Sequence, residues 1–181
     1  RELLASAESV TRQLSLADTA LTFVLAGGIF RAVPFLARAV SERLPDIVLA
    51  IRGGYGATRL LEQLDYGALR ERLAGTATVL VGHSDFTAIQ LALHAQSGLV
   101  TFGGPMLGAD FGAPELHPLM WEHFWRTVAA PQSTAIWTTP TPGELDVEGT
   151  LWGGNLAVLC SLLGTPYFPR IDGGILFVED V

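Results

Sequence analysis

"LVGHSDFTAI", residues 80–89, joins a run of aliphatics to a run of helical character. The chain reaches a glycine, turns through His83, Ser84 and Asp85, and starts a helix at once. Two readings compete. Ser and Asp are good helix caps, so the turn can be plain punctuation. The same order of strand, tight turn, serine and helix also describes part of a nucleophile elbow, which holds a serine hydroxyl out to react. Working outward, "TATVLV" (76–81) reads as a buried strand, and "FTAIQLALHAQ" as a helix ending at Gly98. "DIVLAI" (46–51) is a second continuous aliphatic run, the mark of strands buried on both faces of a parallel sheet. "LVTF" (99–102) is a third strand candidate, and "ATRLLEQL" and "YGALRERL" between the first two read as helical. Strand–helix–strand order predicts an α/β fold with an open, mostly parallel sheet and right-handed crossovers. Sites in such sheets form at the carboxyl ends of strands. Both "RGGYG" (52–56) and "GHSD" (82–85) lie there.

Further out, residues 2–14 have helical spacing through Leu3, Leu4, Val10 and Leu14. "ALTFVLA" (20–26) reads as a strand broken by Gly27-Gly28, and 29–44 as a helix with Pro34 near its start. From 103 to 145 glycine and proline are frequent, and "PLMWEHFWRTV" (118–128) reads as a helix with Pro118 in its first turn. "TPTPGELD" (139–146) is a surface connection and a candidate boundary between units 1–138 and 147–181. A helix over 155–163, stopped by Gly164 and Pro166, and a strand "GGILFVED" (173–180) follow.

The totals set limits. The 181 residues suit one domain or one and a fraction. Net charge is −7, and the eleven basic residues form no cluster, which argues against a nucleic-acid partner. A lone cysteine, Cys160, makes no internal disulfide, and in "LAVLCSLL" it reads as a small buried hydrophobe. No apolar run reaches the ~18 residues of a membrane span, and "RELLASAESV" carries charges without a signal-like core.

As chemistry, Ser84 at the start of a helix leaves the Asp85 backbone N–H free to meet a developing oxyanion. Phe86 stands where the G-x-S-x-G pattern has its second glycine. The paired glycines of "RGGYG" permit close backbone approach and anion binding, or simply a tight turn. Arg52 can clamp a carboxylate or pair with Glu62 or Asp65. A serine nucleophile needs a base. His83 is adjacent and should diverge from Ser84, and His94 lies about 15 Å along the same helix at about 1.5 Å per residue. His117 and His123 have no recognisable context, and no metal-binding spacing of His or Cys occurs. Trp121, Phe124 and Trp125 fit a core or an interface better than a ligand platform. Glu179 and Asp180, ending the last strand, are either solvated or able to orient a histidine.

Together these segments resemble the L,D-carboxypeptidase family, serine peptidases of family S66 that trim murein tetrapeptides and include the microcin-C immunity enzymes. The matching stretches are "RGGYGATRLLEQLDY" (52–66), "GHSDFTAIQLAL" (82–93), "GLVTFGGP" (98–105), "GTLWGGNLAVLCSLLGTPYFP" (149–169) and "GGILFVEDV" (173–181). "LAGG..R" (25–31) looks like a worn "LAGTD..R". The resemblance implies a Rossmann-like N-terminal domain carrying the serine, and a C-terminal α/β domain, only partly present, carrying Glu and His. It implies Ser84 as nucleophile, Glu179 as the triad glutamate, and the N–H groups of Asp85 and Gly54 as the oxyanion hole. Arg52, Gly53, Tyr55, Gly104, Trp152 and Asn155 are then substrate-binding candidates. It further implies a cytoplasmic homodimer acting on a murein peptide, with no cofactor, no metal and no membrane partner. The family's histidine comes downstream of the "LED" strand, so residues 1–181 alone are expected to be inactive. Two alternatives stay open. One is a peptide–nucleotide hydrolase, with Trp152 as the stacking aromatic, and the other is a catalytically inactive binding module.

Overall fold

The computed structural model describes residues 47–136, 143 and 146–180. The helices expected over 2–14 and 29–44, the strand over 20–26, the "LAGG..R" stretch and most of the connection 139–146 lie outside them.

Strand β1 (Ile47–Leu49) pairs in parallel with β2 (Val79–Gly82), and β2 with β3 (Phe102–Gly103). Register sets Val48 beside Leu80 and Leu49 beside Val81. Side chains alternate across a strand, so these pairs face opposite sides of the sheet. Each side has its own core. Val48 and Leu80 join a cluster with Leu61, Leu69, Leu73, Ile89 and Ala92, whereas Leu49, Ile51 and Val81 join Leu107, Phe111 and Phe124. This is why both strands read as unbroken aliphatic runs.

The strands are shorter than the aliphatic runs, for local reasons. Past Leu49 the carbonyls of Ala50 and Ile51 turn away to accept the Leu107 and Gly108 N–H groups. Before β2, the Thr76 hydroxyl donates to the Leu73 carbonyl and accepts from the Thr78 N–H, which keeps residues 76–78 in a turn. "ATRLLEQL" forms a 3₁₀ segment, Ala57–Gln63, entered through Gly56 at φ +116°. Helix α1 (Tyr66–Leu73) starts where the Asp65 carboxylate accepts from the Ala68 N–H. Helix α2 (Thr87–Ser97) ends at Gly98 in the left-handed conformation. Helix α3 (Pro118–Ala129) has Pro118 in its first turn, and Trp121, Phe124 and Trp125 form an edge-to-face chain with Phe111, on the core side.

A separate two-stranded parallel sheet follows, β4 (Leu151–Asn155) with β5 (Ile175–Glu179), linked through helix α4 (Leu156–Leu162). Cys160 departs from expectation: it is exposed. Helix α4 turns Val158, Leu159 and Leu162 into the first core cluster, and Cys160 falls on its outer face. Among the described residues no helix is long and apolar enough to cross a membrane.

Candidate active site

Strand β2 ends at Gly82, a position where nothing larger than glycine fits. A Cβ there would stand 2.5 Å from the Phe86 ring and 2.9 Å from the Ala50 Cβ. The ring of Phe86, the residue that departs from the elbow pattern, therefore lies over the glycine that begins the turn. His83 is extended, and Ser84 then takes φ +57°, the one non-glycine residue with positive φ among the described residues. A left-handed L-residue costs roughly 1–2 kcal/mol, so the conformation needs support from its surroundings. The turn Ser84–Phe86 leads straight into α2. The Ser84 hydroxyl has no hydrogen-bond partner among the described residues, which leaves it available to a ligand or to a base.

Glu179, the last residue of β5, supplies one support: its Oε1 accepts the Ser84 N–H at 2.8 Å. Register pairs Glu179 with Asn155. The Asn155 N–H donates to the hydroxyl of Thr87, the first residue of α2 and fully buried, at 3.1 Å. Gly154 makes this approach possible, since a Cβ there would lie 2.4 Å from the Thr87 Oγ1. The carboxyl ends of β4 and β5 thus meet the elbow directly.

The "RGGYG" loop closes in from β1. A Cβ on Gly53 would lie 3.1 Å from each of the Ser84 Oγ, the Ser84 Cβ and the Asp85 nitrogen. Gly53 is therefore packed on the nucleophile candidate, and the peptide that carries the Gly54 N–H begins there. The same position on Gly54 has open space. Arg52 is exposed and donates from Nε to the carbonyl of Gly53 at 3.1 Å. Among the described residues it forms no ion pair with Glu62 or Asp65. Tyr55 is 81% exposed, with the Arg59 guanidinium 5.6 Å from its ring centroid.

A cavity of about 350 Å³ lies between the two sheets, lined by His83, Gln90, Gly104, Asp110, Phe177 and Glu179 among others. Gly104 reaches it by donating its N–H to the Gly82 carbonyl. Trp152 does not line it. Trp152 packs edge-on to Phe168 at 5.7 Å, in the first core cluster. The Asn155 side chain is occupied as the cap of α4, accepting from the Val158 N–H. Of the histidines, His83 Nε2 lies 3.3 Å from Asp110 Oδ2, which also accepts the Met106 N–H. Among the described residues no histidine is hydrogen-bonded to Ser84, and no group of three His, Cys, Asp or Glu side chains is arranged to hold a metal ion.

Sequence reasoning passed over three of these residues. Gln90 was detectable as the one polar residue inside "AIQLAL". It is buried and donates to the carbonyls of Gly82 and Phe102, tying the ends of β2 and β3. Thr87 resembled an ordinary early helix residue. Asp110 sits in an irregular Gly-rich stretch with no pattern to mark it.

Known proteins share this fold. The chain matches the LD-carboxypeptidase N-terminal domain over residues 17–104 and the LD-carboxypeptidase C-terminal domain over 148–181. It is 34% identical over 163 residues to a Bacillus subtilis protein named "Probable murein peptide carboxypeptidase", covering 81% of this chain and 49% of that one. It is 31% identical over 169 residues to the Microcin C7 self-immunity protein MccF of Escherichia coli, covering 75% of this chain and 48% of MccF. The crystal structure of muramoyltetrapeptide carboxypeptidase from Oxalobacter formigenes superposes with a TM-score of 0.85 at 36% identity, over 97% of this chain and 61% of that one. A single-residue mutant of MccF in complex with adenosine monophosphate gives a TM-score of 0.71 at 28% identity, over 85% of this chain and 54% of that one. The chain spans about half the length of the curated relatives that it matches. With both domain profiles matched in order, and with the elbow and the end of β5 brought together in space, the chain belongs to the LD-carboxypeptidase family.

Proposed function

We propose that the complete protein is a serine L,D-carboxypeptidase that removes the C-terminal D-alanine from murein tetrapeptides. The observation that carries this reading is the strained Ser84 with its unpartnered hydroxyl, Gly53 packed on one side and Glu179 on the other. In this reading Ser84 attacks the carbonyl before the D-amino acid. The N–H groups of Asp85 and Gly54 hold the tetrahedral oxyanion, and water releases the acyl-enzyme. The base is the histidine that the family carries downstream of the "LED" strand, oriented by Glu179. Arg52, exposed at the mouth of the "RGGYG" loop, is the candidate cation for the substrate carboxylate. The enzyme acts in the cytoplasm as a homodimer, on peptides released from the wall.

The likeness to MccF with its bound nucleotide favours a second reading, hydrolysis of a peptide–nucleotide conjugate. Trp152, the aromatic expected to stack on a base, packs on Phe168 instead, which weighs against it. The test uses full-length protein with L-Ala-γ-D-Glu-meso-diaminopimelate-D-Ala, following free D-Ala by mass spectrometry. Release is expected from the wild type and not from Ser84→Ala. A folded wild-type protein that releases none, but cleaves an aminoacyl-nucleotide conjugate, would move the assignment to the second reading.

A further inference from the structure

We propose that Glu179 is also a latch for the elbow: its carboxylate holds the backbone of Ser84 in the left-handed conformation, apart from any work on a histidine. Four observations meet here. Ser84 adopts φ +57°. Its N–H has one acceptor, Glu179 Oε1 at 2.8 Å, reached across 95 positions of sequence from the other sheet. The ladder neighbour of Glu179, Asn155, makes a second bond to the elbow helix through the Thr87 hydroxyl. The other carboxylate oxygen, Oε2, has no partner among the described residues, while the side chain lines the cavity. One oxygen is thus committed to the nucleophile's own backbone, and the other remains for a group entering the cavity.

The physics favours a latch over an incidental contact. A carboxylate accepting a backbone N–H forms a charge-assisted bond, shorter and stronger than a neutral one. Without it, the N–H of a half-buried, strained residue would lack an acceptor, and the elbow could relax toward ordinary backbone angles. The latch also makes the nucleophile conditional. Ser84 is set by the N-terminal sheet but held by the C-terminal one, so the site is complete only when both are docked. Glu179 acts here through Ser84 and is a positioning residue in this role.

Three variants of the full-length protein separate the roles. Glu179→Gln keeps an acceptor oxygen at the same reach and loses the charge. Glu179→Asp keeps the charge but withdraws the acceptor by one methylene. Glu179→Ala removes both. The readout is amide hydrogen exchange at Ser84 by NMR, with thermal melting to verify folding. Exchange at Ser84 should quicken at least tenfold in the Asp and Ala proteins, and by a smaller factor in the Gln protein, which keeps an acceptor but loses the charge. The Asp variant decides the matter if the Ala variant does not fold. Wild-type exchange at Ser84 in a folded Asp or Ala protein would overturn the latch. Turnover has no part in this readout, so failure of the latch and failure of the peptidase reading are separate results.

Discussion

Ser84 and Gly53 show how much of the site is decided atom by atom. The Ser84 hydroxyl is presented because its backbone is left-handed, which serine tolerates at a cost of roughly 1–2 kcal/mol. Ser84→Gly should therefore melt higher than Ser84→Ala, by about 1 kcal/mol in stability, with both inactive in D-Ala release. Thermal or urea unfolding of the two proteins checks this. Gly53 is a glycine for a different reason, since its would-be Cβ lies 3.1 Å from the Ser84 Oγ and from the Asp85 nitrogen. Gly53→Ala should push the Ser84 side chain by a few tenths of an ångström and lower kcat, by less than the ~10²-fold that a misplacement of about 1 Å costs. A kcat within threefold of wild type would mean that the loop yields. "GHSD" was legible as an elbow from strand, glycine, serine and helix in sequence. The close packing of Gly53 on it was not, because 30 residues of chain separate β1's loop from the turn.

At the scale of elements, the contact of β4 with α2 assembles the two halves. Gly154 sits at φ +135°, against the buried Thr87 hydroxyl. Gly154→Ala should destabilise the protein by about 3 kcal/mol, combining a left-side backbone penalty with overpacking. Thr87→Val is gentler in shape but removes the acceptor of the Asn155 N–H. It should cost about 1–3 kcal/mol as that N–H loses its partner. Denaturant melts of both proteins give the comparison, and equal stabilities to wild type would show that β4 does not rely on this seam. The sequence revealed that "GTLWGGN" was special through its glycines, but not that Gly154 makes room for Thr87. A glycine requirement set by a neighbour 67 positions away leaves no local pattern.

Across the whole molecule, Tyr66 of α1 reports the docking of the C-terminal segment on the first core. Its ring lies 6.2 Å from that of Tyr167, and its hydroxyl donates to the Leu61 carbonyl at 2.7 Å. Burial, and then the nearby Tyr167 hydroxyl, push the Tyr66 pKa up to about 12. A raised acid pKa means that the fold favours the protonated form. The stabilisation is whole below the unfolded value near 10 and is lost as pH climbs through about 12. Tyr66→Phe should cost about 1 kcal/mol near neutral pH, from the lost hydrogen bond. The gap to wild type should narrow from about pH 10 upward, in urea melts across that range. A constant gap would mean that Tyr66 does not titrate into the unfolding reaction.

What the sequence determined by itself were the features that act over a few residues. Aliphatic runs became β1, β2 and β5, whereas of "LVTF" only Phe102 entered a strand; Pro118 opened a helix, Gly98 closed one, and Gly82-His83-Ser84 formed the turn between strand and helix. These follow from backbone sterics and from the apolar pattern, which neighbours in sequence carry. Tertiary structure decided the rest. It chose Glu179 as the partner of the Ser84 N–H, turned Cys160 outward, placed Trp152 on Phe168 and assembled the cavity from Gln90, Asp110 and Phe177. Each of those outcomes depends on the docking of one sheet against another, and such contacts join residues whose separation in the chain leaves no periodicity to read.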